Sequence, residues 1–169
     1  MGCGKSTIGR KMAKVLECSF LDTDAWIEEK EGMTISKIFE IKGEAYFRDL
    51  ETACLKALVE EKRKEEGLNE KELVISVGGG LPVREENQLL LKELGRVIYL
   101  KAKPDTIYER VKNDTARPLL QTENPLQKIK DMLAVREEKY QAAAHEVIHV
   151  DGKGVGKIIE EILGNENSI

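Results

Sequence analysis

The sequence predicts an α/β fold of three layers, a parallel sheet with helices on its faces, and two patterns point to it. Short apolar runs bounded by polar residues or glycine recur along the chain, and between them apolar residues fall at helical spacing. The runs cover residues 18–21, 73–77, 97–100 and 147–150; each is brief and continuous, in the manner of a strand buried on both faces. Ile8, Met12, Val15 and Leu16 form a first helical stripe, Phe47, Leu50, Cys54 and Leu58 a second, and Ile129, Leu133 and Tyr140 a third. Residues 60–72 are almost entirely charged and read as a fraying helix end followed by a solvated connection. Residues 112–125 combine Asn, Asp, Thr and two prolines without periodicity, the makeup of a loop between helices and of a size that often serves as a lid.

A chain of 169 residues suits one domain with a proper core. Its 41% hydrophobic and 34% charged residues are the balance of a soluble globular protein. No apolar run approaches the roughly 20 residues that span a bilayer. The opening residues carry neither an apolar signal core nor transit character, so the cytoplasm is the expected location. Cys3, Cys18 and Cys54 are odd in number and lack C-x-x-C spacing, which argues for reduced thiols rather than disulfides or a zinc site. A net charge of -4 offers nucleic acid no general attraction, so anionic ligands have to be held by local charges.

Those local charges sit in recognisable places. Gly2-Cys3-Gly4-Lys5-Ser6-Thr7 runs straight into the first helical stripe and reads as the C-terminal part of a phosphate-binding loop. Glycines turn backbone N–H groups toward phosphate oxygens, and the helix terminus adds positive potential. Lys5 reaches the β- and γ-phosphates, and the Ser6 hydroxyl is placed to ligate Mg²⁺. A full loop of this type begins with a glycine five residues before Gly4, a position upstream of Met1, as is the strand that should lead into it.

Asp22 and Asp24 stand at the C-terminal end of the first run, the end of a parallel sheet where ligands bind. They read as one carboxylate toward the Mg²⁺ shell and one toward an acceptor hydroxyl, or alternatively as a cap for the next helix. Arg48 and Glu51 lie one helical turn apart, so the arginine is either pre-organised to hold a carboxylate bidentately or part of a routine surface ion pair. Gly78, Gly79 and Gly80 follow the second run and permit close approach to the backbone. Arg117, fixed beside Pro118 in the suspected lid, suits the stabilisation of transferred negative charge, while Arg110 reads equally as exposed surface. His145 and His149 lack metal spacing and are assigned to structure; Trp26 and the methionines are assigned to packing.

Taken together, G-x-G-K-S-T at 2–7, D-T-D at 22–24, G-E-x-x-F-R-x-x-E at 43–51, G-G-G at 78–80, R-P-L-L at 117–120 and R-x-x-x-Y at 136–140 resemble the shikimate kinase family over nearly the whole chain. The resemblance implies a P-loop, nucleoside-monophosphate-kinase type of fold with five parallel strands, a shikimate-binding region at about 24–52 and a lid at about 112–125. It implies ATP and shikimate as substrates and one Mg²⁺ ion, in a single-domain protein expected to be a monomer. By position, Gly2, Cys3, Gly4, Lys5, Ser6 and Thr7 would contact phosphates, and Ser6 and Asp22 would hold the metal. Asp24 would orient and deprotonate the 3-hydroxyl, Arg48 and Arg136 would hold the carboxylate, and the backbone of Gly78, Gly79 and Gly80 would meet the ring hydroxyls. Arg117 would close over the phosphates and Arg110 would lie near the adenine.

In that family's strand order the strand leading into Gly2 lies mid-sheet, between the second and third runs visible here. Its absence predicts neighbours about 10 Å apart, twice the usual strand spacing, with exposed backbone groups and a severe loss of stability. The expectation is therefore that the natural protein starts upstream of Met1. Two rival functions are another small-molecule P-loop kinase, such as a gluconate kinase, and a non-catalytic relative that only binds. A nucleic-acid-dependent ATPase is disfavoured by the acidic balance.

Overall fold

The structure, a computed structural model, describes residues 2–65, 72–112 and 122–164. Helix α1 (Lys5–Val15) starts at Gly4, whose left-handed backbone (φ 92°) is open to glycine and which has no side chain to cap the helix. Strand β1 (Ser19–Asp22) ends at a true cap: Asp22 accepts from the N–H groups of Asp24 and Ala25 and so starts α2 (Thr23–Glu31). Helix α3 (Ile35–Glu65) is two helices joined across Gly43, whose φ of 82° and ψ of 170° break the helical path. Then follow β2 (Leu73–Ser76), the glycine turn 78–80, a 3-10 turn (Leu81–Val83) and α4 (Glu85–Leu94).

Strand β3 (Ile98–Lys101) leads to α5 (Pro104–Val111), opened by a proline that needs no N–H there. Asn124 caps α6 (Pro125–Ala143), again with proline in the first turn. Strand β4 (Glu146–His149) and α7 (Val155–Gly164) complete the described chain. Each apolar run expected as a strand is one, displaced by about a residue at its ends.

β1 pairs with β2 in parallel, Ser19 opposite Leu73 through Asp22 opposite Ser76. β3 pairs with β4 in parallel, Ile98 opposite Glu146 through Lys101 opposite His149. Among the described residues the two pairs do not join into one sheet. Between β2 and β3 lies an open slot lined by Leu73, Ile75, Ile98 and Leu100 of the strands and by Ile8 and Met12 of α1.

Helices pack against both pairs. The largest core surrounds β3 and β4, with Ile107, Ile129, Ile148 and Ile158 buried together. A second core joins α3 to α4 through Leu55, Leu81 and Leu91. A third, formed by Ile27, Ile38 and Phe47, supports the residues around the Gly43 break. Val15, expected on the buried stripe of α1, is 57% exposed because it falls in the final turn, past the end of the covered face. Cys3 packs with Ala102 and Val150, just beyond β3 and β4, while Ser6 approaches Ser76 at the end of β2. The C-terminal ends of the strands therefore gather around one loop.

Candidate active site

The loop is shaped by what α1 leaves open. Ile8 is the first residue whose N–H reaches an intrahelical carbonyl, that of Gly4 at 2.9 Å, so the N–H groups of Lys5, Ser6 and Thr7 point outward without a capping side chain. Such a helix end attracts anions. The loop is held from one side by α5. A Cβ on Gly2 would come within 2.8 Å of Val111 and 2.9 Å of Ile107, and Arg110 Nη1 donates to the Cys3 carbonyl at 3.0 Å. Arg110 thus steadies the back of the loop.

Asp22 does two jobs with its two oxygens. Oδ1 caps α2, and Oδ2 accepts from the Ser6 hydroxyl at 2.7 Å. Of the two alternatives open in the sequence, the cap is present at Asp22. Asp24, in the first turn of α2, has an Oδ1 that is buried and without a hydrogen-bond partner among the described residues. Burial, and then repulsion from Asp22, push its carboxyl above the ordinary carboxylate range, with Lys5 pulling the other way.

Arg48 projects from α3 toward the same place. Its Nη1 donates to Glu51 Oε2 at 2.7 Å, while Nη2 and Nε reach Glu44 Oε1 at 2.8 and 3.2 Å. Glu51 is only 1% exposed, its Oε1 lacks a partner among the described residues, and burial raises its carboxyl despite the neighbouring guanidinium. This pair is no routine surface contact.

The three glycines between β2 and the 3-10 turn bring these groups together. A Cβ on Gly78 would stand 2.6 Å from Asp24 Oδ1 and 3.1 Å from Glu51 Oε1; one on Gly80 would stand 2.1 Å from Arg48 Nη1. None of the three has a positive φ. At Gly78 and Gly80 glycine serves close approach rather than a turn.

The Gly79 carbonyl accepts from the Tyr140 hydroxyl at 2.5 Å and from Arg136 Nη1 at 3.4 Å, which brings α6 to the turn. The two arginines therefore lie against consecutive residues of one loop. A mostly apolar space reaches Lys5, Gly78, Gly79 and Tyr140 at its rim and continues along Val77, Leu91, Val97, Ile98 and Leu100, walls that it shares with the slot between β2 and β3; Asp24, Arg48 and Arg136 do not line it. Two supports escape the sequence reading. Buried Thr23 accepts from the Gly78 N–H at 3.1 Å, and Tyr140 acts through its polar tip rather than as core alone. Arg117 and most of the expected lid lie outside the described residues.

A glycine loop that feeds an uncapped helix end, at the C-terminal edge of parallel strands, defines the class: a phosphate-handling P-loop α/β protein. Within it the likenesses are specific. The family model for shikimate kinase matches residues 1–165, and the chain belongs to the shikimate kinase family. It is 44% identical to a shikimate kinase of Sulfurihydrogenibium sp. (strain YO3AOP1), over 96% of this chain and 91% of that one.

Its structure matches shikimate kinase from Acinetobacter baumannii in complex with shikimate. The TM-score is 0.88 at 39% identity, over 99% of this chain and 89% of the other. A gluconokinase from Sinorhizobium meliloti 1021 matches with a TM-score of 0.56 at 18% identity, over 99% of this chain and 87% of that one. That likeness is one of fold alone.

Proposed function

We propose that this chain transfers the γ-phosphate of ATP to the 3-hydroxyl of shikimate, giving shikimate 3-phosphate and ADP. The observation that carries the reading is the unpartnered Asp24 Oδ1, buried between the phosphate loop and the Arg48 guanidinium. A buried acceptor left without a donor awaits one from a ligand, and a hydroxyl is the donor the chemistry needs.

The division of labour follows from position. Lys5 and the N–H groups of Ser6 and Thr7 hold the phosphates. Arg48 and Arg136, on either side of the 79–80 peptide, hold the acid's carboxylate and set its ring against the glycine turn. Asp24 accepts the proton of the attacking hydroxyl, a task eased by the elevation of its carboxyl. Ser6 Oγ and Asp22 Oδ2, hard oxygen donors side by side, fit one Mg²⁺: Ser6 would ligate it and Asp22 would hold it through water. When bound, that ion would neutralise charge on the phosphates. Arg117 is assigned to the closing lid. The net charge of -4 offers nucleic acid no general attraction, and the chain is assigned to the cytoplasm as a monomer; no helix among the described residues is long and apolar enough to cross a membrane.

ADP release measured with Mg·ATP and shikimate, on the chain and on Asp24→Asn, tests the reading. Shikimate-dependent turnover is expected, with a loss of about 10²- to 10⁴-fold in the variant. Turnover with gluconate instead of shikimate would turn the assignment to the rival kinase. Shikimate binding without turnover would leave a binding module.

A further inference from the structure

Tyr140 and Arg136 are one helical turn apart on α6 and share a single acceptor, the carbonyl of half-buried Gly79. They share it unequally: the phenol hydroxyl sits at 2.5 Å, and the guanidinium Nη1 at 3.4 Å, the outer limit of a hydrogen bond. The tyrosine cannot easily move. Its ring lies against that of Tyr99, centroids 5.1 Å apart and tilted by 57°. Tyr99 in turn donates to Glu137 Oε2 at 2.9 Å, and Glu137 Oε1 takes Lys101 Nζ at 2.5 Å and Gln141 Nε2 at 2.8 Å. This chain of contacts runs from β3 to the phenol tip.

We propose that Tyr140 is a positioning residue for Arg136: its hydroxyl satisfies the Gly79 carbonyl and so keeps the guanidinium free for the carboxylate of the acceptor acid. The inference rests on the assignment of Arg136 to that carboxylate. Remove the hydroxyl and, among the described residues, the donor left on the carbonyl is a charged one, Arg136 Nη1. A charged donor binds a backbone carbonyl more tightly than a neutral one does, so Arg136 closes on Gly79 and turns its fork from the substrate. The carbonyl that orients the turn then competes with the ligand for the same arginine.

Tyr140→Phe is the test, because it keeps the ring and its packing on Tyr99. Steady-state kinetics with each substrate varied in turn, thermal melting, and a crystal structure of the variant are read together. The shikimate KM is expected to rise about tenfold while the ATP KM and kcat change less than about twofold. The Arg136 Nη1 to Gly79 O separation is expected to fall clearly below 3.4 Å.

An unchanged separation overturns the proposal, whatever the kinetics. So does an unchanged shikimate KM, or an equal rise in both KM values accompanied by a large loss of Tm, which is the signature of general loosening. If the unmutated chain shows no shikimate-dependent turnover, the functional reading fails, while the separation in the variant still decides what Tyr140 does.

Discussion

Replacing Gly80 with alanine puts a methyl group where Arg48 now stands. The new Cβ would lie 2.1 Å from Nη1, 2.5 Å from Cζ and 2.7 Å from Nη2. Reaching ordinary contact at 3.4 Å requires a displacement of about 1.3 Å at Nη1. The guanidinium is the end of a flexible side chain, so it yields before the backbone does, and the 2.7 Å bond to Glu51 is stretched or lost. Folding suffers modestly: a weakened partner for buried Glu51 costs about 1 kcal/mol, a fall in Tm of about 2–4 °C for a domain of this size.

Function suffers far more, because a misplacement of about 1 Å in a group that orients a substrate costs on the order of 10²-fold. Gly80→Ala should therefore lower kcat/KM for shikimate about 10²-fold, while the ATP KM changes less than about twofold. Coupled kinetics with each substrate varied in turn is the assay. A variant that keeps its kcat/KM for shikimate refutes the reasoning, since it would mean that Arg48 either does not move or does not meet the acid.

Two further outcomes follow from the same site. Asp24 and Glu51 both have folded carboxyls raised above the ordinary range, so protonation favours the folded state: their stabilisation is fully present below the unfolded pKa and is lost as pH rises through the folded pKa. Asp24→Asn should thus raise Tm at neutral pH while turnover falls about 10²- to 10⁴-fold, and should flatten the decline of stability with rising pH; melting curves from pH 4 to 8 that keep the parental slope would contradict this. Ser6→Ala, which removes the hydroxyl beside Asp22 Oδ2, should raise the Mg²⁺ concentration needed for half-maximal turnover at least about tenfold and leave the shikimate KM nearly unchanged. An unaltered Mg²⁺ titration would remove Ser6 from the metal's surroundings.

What could be read in the sequence was what local physics writes there. A strand buried on both faces has to be a run of apolar residues, so the four strands among the described residues were found, with their ends displaced because pairing partners define where a ladder stops. The phosphate loop was visible because glycine, lysine and a hydroxyl are needed at fixed offsets from a helix start. Arg48 and Glu51 were visible as neighbours on one helix face.

The rest depends on partners far away in the chain. Thr23 meets the N–H of Gly78 and Tyr140 meets the carbonyl of Gly79, backbone atoms that no side-chain pattern announces. That Asp22 would use one oxygen as a cap and the other for Ser6 is a matter of rotamer. The glycines were noticed, but for a ligand's approach, whereas the groups that crowd them are the protein's own Arg48 and Asp24. The location of the slot between β2 and β3 came only through the resemblance, since strand order is not a local property.

The glycine turn is also a joint between two groups of elements. Asp22, Asp24 and the turn belong with β1 and β2, while Arg136 rides on α6, which Glu137 holds to Tyr99 and Lys101 of β3. The Tyr140 hydroxyl on the Gly79 carbonyl crosses from one group to the other, and Arg110 on the Cys3 carbonyl ties α5 to the phosphate loop. On the proposed assignment of Arg48 and Arg136 to one carboxylate, the spacing of the two guanidinium groups is set at this turn, by a tyrosine bonded to its backbone.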